Sequence, residues 1–226
     1  MLSWLKATYL WYHHRWVRRG TDHPIQHVRR MLGLIAERTD ARRLLLDLGA
    51  GFEPFHFGDL WKGKRVAIEI RPGRGVDILA DGHHLPFQEK IADVVLLMET
   101  LEHVPAPLLL LRECTRVLRP GGYLCLTAPQ YCILHDHPGD FYRYTHEGLR
   151  YLCKEAGLHI QDIRPTGGPF LVVFHAIEWN LPPKTRLVFV ALAYRLFDWL
   201  DGWVCGHGSR AGIHDAVGWA VLATKV

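Results

Sequence analysis

The sequence lacks a cysteine framework, a long hydrophobic run and any low-complexity stretch. Its five cysteines, Cys114, Cys125, Cys132, Cys153 and Cys205, are odd in number and include no close pair. That excludes a disulfide scaffold and fits a reducing, cytoplasmic setting. No charge-free window reaches the roughly 18 apolar residues that a bilayer-spanning helix needs. No apolar stretch with a small-residue cleavage site opens the chain, so no secretory leader is expected. Internal repeats and flexible linkers are missing too, and the expectation is a single domain over residues 1–226. Acidic residues are absent from the first 20 positions, which hold Lys6, Arg15, Arg18 and Arg19. The chain has 27 basic and 23 acidic residues, a net charge of +4. Those four cations therefore account for the whole excess, and the rest of the molecule is balanced. A basic surface spread over the domain, as nucleic-acid binding requires, is excluded.

What is present is an ordinary globular composition, 49% hydrophobic and 22% charged. A chain of this length buries about 70% of its unfolded surface and needs no staple. Residues 1–20 place Leu5, Tyr9, Tyr12 and Trp16 at helical spacing beside Trp4 and Trp11, which predicts a basic, aromatic helix. Gly20-Thr21-Asp22 supplies a break and a cap. Ile25, Val28, Met31, Leu32 and Ile35 then mark a second amphipathic helix, which a turn at Thr39-Asp40 ends.

From residue 43 the pattern changes to short apolar runs at 44–48, 66–70, 76–80, 92–97 and 123–128, separated by loops or helical stretches. Uninterrupted runs of this length suit strands covered on both faces, as in a parallel sheet wrapped by helices. Leu109, Leu110, Cys114 and Val117 predict a helix over roughly 106–118, ended by Arg119-Pro120-Gly121-Gly122, and another helix runs from Thr145 to Ala156 and stops at Gly157. Strands are expected at 159–164 and 216–224. Between them, 167–205 is rich in Phe, Leu, Val and Trp, with a polar stripe only at Arg195, Asp198 and Asp201 over its densest part. The predicted organisation is an N-terminal helical extension (1–40), an α/β core (41–165), a hydrophobic helical insertion (166–214) and a final strand (215–226).

The strongest signal is Leu44 to Phe55, LLLDLGAGFEPF, where a buried strand ends in an acid and runs into Gly49-Ala50-Gly51. Glycines there allow a tight turn and a close approach to a ligand. A dinucleotide fingerprint wants a third glycine and a helix N-terminus open to pyrophosphate, but this chain has Glu53 and Pro54. A carboxylate there repels pyrophosphate and tolerates a ligand carrying an ammonium and a sulfonium. Glu69 follows Asp47 by 22 residues, the spacing at which an acid takes both hydroxyls of a ribose. Asp81 in Ala80-Asp81-Gly82 ends the third run, where a carboxylate can accept from an adenine amino group.

Together Asp47-x-Gly49-x-Gly51, Glu69, Asp81-Gly82 with the LPF that follows, VVLLMETLEHV and LRPGGYLCLTAP resemble the class I S-adenosylmethionine-dependent methyltransferases, in their order and spacing, over about 44–157. The resemblance implies a Rossmann-like, seven-stranded, mostly parallel sheet with an antiparallel last strand and helices on both faces. It implies S-adenosylmethionine as cofactor and S-adenosylhomocysteine as product. Asp47, Gly49 and Gly51 would then line the methionine end, Glu69 hold the ribose, Asp81 and Gly82 the adenine, with Met98 and Glu99 beside the sulfonium and Ala50 and Ile70 among the cofactor-binding residues. The chain departs from the family pattern at Glu53-Pro54, where many members carry a third glycine.

Methyl transfer from a sulfonium is an in-line displacement in which alignment and water exclusion supply much of the acceleration. A base helps when the acceptor is a hydroxyl, and His135, His137, Asp140, Tyr142 and Arg143 in the loop after the fifth run are the catalytic candidates. In the plainer reading of that loop, Asp140 pairs with Arg143 and Thr145 caps the next helix. Glu99-Thr-Leu-Glu102-His103 is similar to the metal-binding pattern of some hydroxyl-directed methyltransferases acting on quinone precursors and RNA ends, with His135 or His137 completing the set. The same letters occur in relatives without a metal, where they cap and hydrogen-bond, so no metal is expected. His13-His14 and His83-His84 read as solvated.

Residues 1–20 and 167–205 fit a lid over the acceptor, an interfacial surface with cations on one side and Trp, Phe and Leu on the other, helices that merely pack on the core, or a homodimer contact. The resulting expectation is methyl transfer to a small-molecule or lipid-like acceptor, at oxygen, in the cytoplasm or at a membrane surface. The alternatives are a nitrogen or carbon acceptor, or a non-catalytic S-adenosylmethionine-binding protein that docks at a membrane. Nucleic acid is not expected as the acceptor.

Overall fold

The computed structural model describes residues 24–37, 43–51, 61–135, 139–205 and 215–226. The expected helix over 1–20, its cap at Gly20-Thr21-Asp22, the Thr39-Asp40 turn, Glu53-Pro54 and His137 lie outside the described residues.

Strands β1 (Leu44–Leu48), β2 (Lys64–Glu69), β3 (Ile78–Leu79), β4 (Ala92–Met98), β5 (Leu118–Pro129), β6 (Leu158–Thr166) and β7 (Gly218–Lys225) form one sheet in the order β3-β2-β1-β4-β5-β7-β6. The first five of these neighbours run parallel, and β7 lies antiparallel between β5 and β6. This is the α/β architecture the apolar runs predict. The order in which strands are added to the sheet reverses between β1 and β4, which places a crevice at the carboxyl ends of those strands.

Helices cover both faces. The stripe Val28, Met31, Leu32 and Ile35 of α1 (Pro24–Glu37) packs on Leu45, Val94, Leu96 and Cys125. On the opposite face, Leu110, Leu111 and Cys114 of α2 (Pro107–Val117), with Leu149 and Cys153 of α3 (His146–Glu155), meet Leu46, Leu48, Val95 and Leu97. Alternate residues of one strand thus enter opposite layers. The Thr145 hydroxyl accepts from the Gly148 amide and caps α3, and Gly157 ends that helix at φ 78.

The Arg119-Pro120-Gly121-Gly122 segment stops α2 as expected but belongs to β5, where it produces a register shift between Ala92 and Val94. Proline removes a ladder donor, and Gly121 takes φ 73.

The insertion is a helical hairpin, α4 (Pro169–Asn180) and α5 (Pro183–Cys205), built around Phe174, which stacks on Phe189 at 5.1 Å and meets Tyr194 edge-on. Here the structure corrects the polar stripe. Asp201 is buried and accepts from the amides of Gly168, Phe170 and Leu171 at 2.9, 2.8 and 3.1 Å. It supplies the N-terminal acceptor that α4 lacks in its own sequence, because Gly168 has no side chain to cap with.

Candidate active site

Gly49 and Gly51 leave β1 at φ 69 and 75. A Cβ on Gly49 would sit 2.4 Å from the Thr100 side chain, so only glycine fits there. The turn opens on a cavity of about 350 Å³ at the carboxyl ends of β1, β2 and β4. Gly49, Gly51, Glu69, Ile70, Asp81, Gly82 and Glu99 line it, as the sequence predicts, joined by Thr100, His103 and Gly139.

Glu69 ends β2 with its carboxylate accepting from the Gly51 amide at 3.1 Å and the Ile70 amide at 2.8 Å. Asp81 accepts from the His83 amide at 2.9 Å and lies 2.7 Å from His83 Nδ1. The His83 amide, then the ring, hold its carboxyl below the usual range. His83 is therefore a cavity residue rather than a solvated one. The loop carrying both residues is tied to α2. Glu113 accepts from the Leu85 amide at 3.0 Å, and Arg116 donates to the Phe87 and Leu85 carbonyls at 2.8 and 3.1 Å.

Glu99 adopts φ 48, a left-handed conformation that non-glycine residues seldom take. Its amide donates to both the carbonyl and the hydroxyl of Thr127, each at 3.1 Å, which keeps it there. Thr100 carried no motif signal, yet its hydroxyl reaches the Leu48 carbonyl at 3.2 Å and its methyl fills the space above Gly49.

Three predicted cofactor residues lie elsewhere. Asp47 points into the α1 layer, where it pairs with Arg65 (Nε to Oδ2 3.0 Å) rather than lining the cavity. Burial pushes its carboxyl up, opposed by the Arg65 guanidinium. Met98 packs against the α1 layer, and Ala50 donates its amide to the Ile68 carbonyl. Neither lines the cavity.

The second loop is stapled to the 3-10 turn Leu101–His103. The Phe141 amide donates to the Glu102 carbonyl, Tyr142 OH to the Pro105 carbonyl and Tyr144 OH to the Leu101 carbonyl. Asp140 and Arg143 form a two-pronged ion pair, and Asp140 also accepts from the His135 amide at 2.9 Å. Arg143 holds the Asp140 carboxyl well below the carboxylate range. Both charges are spent on loop geometry, as the plainer reading held. Tyr142 likewise anchors the loop from its surface.

That stapling brings His135 to His103, with Nε2 facing Nε2 at 3.1 Å. Each Nδ1 meets a carbonyl, Gly139 at 2.8 Å for His103 and Ile133 at 3.0 Å for His135. A carbonyl can only accept, so each neutral ring carries its proton on Nδ1 and presents a bare Nε2. Beside them lies Glu102, wholly buried, with neither carboxylate oxygen meeting a hydrogen-bond donor. Burial, then the neighbouring Glu99, push its carboxyl well above the usual range. Ligand atoms of Glu102, His103 and His135 lie within 4.8 Å of one another. An orphaned acid and two opposed lone pairs are a donor set that fits a divalent cation. Glu99, grouped with them from the sequence, lines the cavity instead and is not part of this set.

Residues 61–126 match the family model of a methyltransferase domain. The chain is 33% identical over 98 residues to an uncharacterized methyltransferase of Mycobacterium leprae, an alignment covering 38% of this chain and 36% of that one. It is 29% identical over 123 residues to a ubiquinone biosynthesis O-methyltransferase of Parvibaculum lavamentivorans, covering 47% of each. The chain thus spans less than half the length of these curated relatives. Its fold superposes on the Burkholderia thailandensis 1,6-didemethyltoxoflavin-N1-methyltransferase, solved with S-adenosylhomocysteine, with a TM-score of 0.55, 15% identity and coverage of 98% of this chain and 87% of that chain.

Proposed function

The chain carries a class I S-adenosylmethionine-dependent methyltransferase domain, and on that premise we propose that it transfers the methyl group of S-adenosylmethionine to an oxygen of a small-molecule or lipid-like acceptor. The observation that carries this reading is the cavity at the strand reversal, with Glu69 and Asp81 at the ends of successive strands and the Gly49 turn beside them. Bound there, the cofactor supplies a methyl group on a cationic sulfur that leaves as a neutral thioether. Glu69 would accept from its ribose hydroxyls and Asp81 from its adenine amino group, and the Glu99 carboxylate would offset its cationic end.

The acceptor's hydroxyl loses its proton as the carbon–oxygen bond forms and the carbon–sulfur bond breaks. His135 is the base in this reading, its Nε2 carrying the lone pair that takes the proton while the Ile133 carbonyl orients the ring. Asp140 and Arg143 are positioning residues that hold the loop bearing His135. Likeness to the ubiquinone-pathway O-methyltransferase supports a hydroxyl acceptor.

The opposed nitrogens and the orphaned acid favour a second reading of the same corner, in which Glu102, His103 and His135 hold zinc or another first-row divalent cation. Such an ion would lower the pKa of an acceptor hydroxyl and orient it.

Calorimetric titration with S-adenosylmethionine and S-adenosylhomocysteine tests the first reading, followed by labelled-methyl transfer to phenols and lipids. Binding of neither compound overturns it. For the second, titration with Zn²⁺ or Mn²⁺ is expected to show one site that Glu102→Ala removes; binding of neither ion, or a site unchanged by that substitution, rejects it.

A further inference from the structure

The α4–α5 hairpin has its polarity reversed for a helix pair facing water. Two of its three acids are turned inward, Asp201 on the start of α4 and Glu178 3.1 Å from His175, and the third, Asp198, is half-buried. Its outer face is apolar. Val188, Leu192, Leu196, Trp199 and Trp203 recur at helical spacing as one stripe along α5, with Leu192 77% and Trp203 72% exposed, and Val173 and Ile177 are exposed on α4. Among the described side chains of these two helices, Arg195 is the one exposed charge. A lone exposed leucine is ordinary, but a stripe of this kind marks an interaction surface.

We propose that this stripe lies on an anionic phospholipid surface. Charge complementarity selects that occupant. Among the described side chains the two helices leave no carboxylate fully exposed to repel lipid headgroups, and by sequence the whole cationic excess falls in residues 1–20 with Trp4, Trp11 and Trp16. Tryptophan is the residue that best tolerates the boundary between acyl chain and headgroup. No described helix is long and apolar enough to cross a membrane, so the stripe lies along the surface rather than through it. The hairpin leaves the sheet after Thr166 and returns at Gly218, which pairs with Pro129 at the carboxyl end of β5. That is the edge on which the cofactor cavity opens, so docking brings the reaction edge to the lipid layer. The inference rests on the methyl-transfer reading for this consequence and on the stripe itself for binding.

Flotation of the full chain with phosphatidylcholine vesicles, with and without phosphatidylglycerol, tests it. Binding is expected to the anionic vesicles, weakening with salt. The doubly substituted Leu192→Glu, Trp199→Glu chain is expected to lose about tenfold or more of it, with melting temperature and S-adenosylhomocysteine affinity unchanged. No binding to anionic vesicles overturns the proposal, as does binding that the double substitution leaves intact. Sedimentation showing a dimer that the same substitutions dissociate, without vesicle binding, assigns the stripe to a second copy instead. A chain that binds S-adenosylhomocysteine but no vesicles fails this inference alone; one that binds vesicles but neither cofactor form fails the methyl-transfer reading alone.

Discussion

His103 and His135, distant in sequence, meet at right angles with ring centroids 4.7 Å apart and Nε2 atoms 3.1 Å apart. The contact depends on two carbonyls, Gly139 and Ile133, that fix the outer nitrogen of each ring. Facing lone pairs repel unless a proton or a cation lies between them. The arrangement is therefore suited to receiving one, as the proposed transfer to a hydroxyl would require.

His135→Gln is expected to lower kcat by about 10²- to 10⁴-fold, the usual span for losing a general base. Affinity for S-adenosylhomocysteine should stay within about twofold, because the cavity carboxylates are untouched. Transfer rates and calorimetry on the same preparation check this. Comparable loss in both measurements would place His135 in cofactor binding instead.

Glu69→Gln keeps the shape of the side chain and removes its charge. Charge-assisted hydrogen bonds contribute roughly 1.5–3 kcal/mol, so cofactor affinity should fall about tenfold to a hundredfold. Thermal melting should barely move, since Glu69 bonds only to amides at the cavity rim. An unchanged dissociation constant would remove Glu69 from the ribose site.

Asp47 is expected to behave in the opposite way. Replacement by Ala leaves the Arg65 guanidinium without its partner between β1 and α1, which costs on the order of 2 kcal/mol of stability. Cofactor affinity measured well below the melting temperature should change little. A sharp loss of binding at unchanged stability would restore Asp47 to the methionine end, where the motif reading puts it.

The same residue shows how much was legible in advance. The strands were readable because each is an apolar run covered on two faces, and α2 and α3 because their stripes and stops are sharp. Glu69, Asp81 and the glycines were readable because they terminate strands at one edge. The direction of Asp47 was also latent in the alternation of LLLDL. Leu46 and Leu48 enter the α2 layer, so the residue between them cannot. Asp201 looked like solvent-facing polarity because nothing local shows that Gly168 leaves α4 uncapped. The meeting of His103 with His135 depends on how the 139–144 loop lands on Glu102 and Pro105, and no periodicity reports such a contact.

Acid should loosen the proposed adenine end of the site. Arg116 pairs with Glu113 at 2.7 Å and holds its carboxyl below the ordinary range. A folded-state pKa depressed below the unfolded value adds stability that is present above about pH 4.5 and is lost as pH falls through the folded value. Glu113→Gln should therefore flatten the acid side of a stability–pH curve and weaken cofactor binding modestly, because Glu113 and Arg116 anchor the segment after Asp81. An identical curve for the variant would exclude the pair as a source of acid sensitivity.

Glu99 combines an unfavourable backbone with a place on the cavity wall, which sets stability against function. A left-handed φ costs a non-glycine residue about 1–2 kcal/mol, and glycine is free of that cost. Glu99→Gly should then raise the melting temperature by roughly 2–8 °C, offset in part by the greater freedom glycine has when unfolded. The same change removes the carboxylate proposed to offset the cationic end of the cofactor. S-adenosylmethionine should consequently lose more affinity than S-adenosylhomocysteine, whose sulfur is neutral. That difference separates an electrostatic role from a simple change in cavity shape, which would weaken both alike. A variant that melts lower would show that Glu99 supports the fold through contacts outweighing its backbone strain. One that melts higher and binds both forms as before would leave the strained residue without a role in the site.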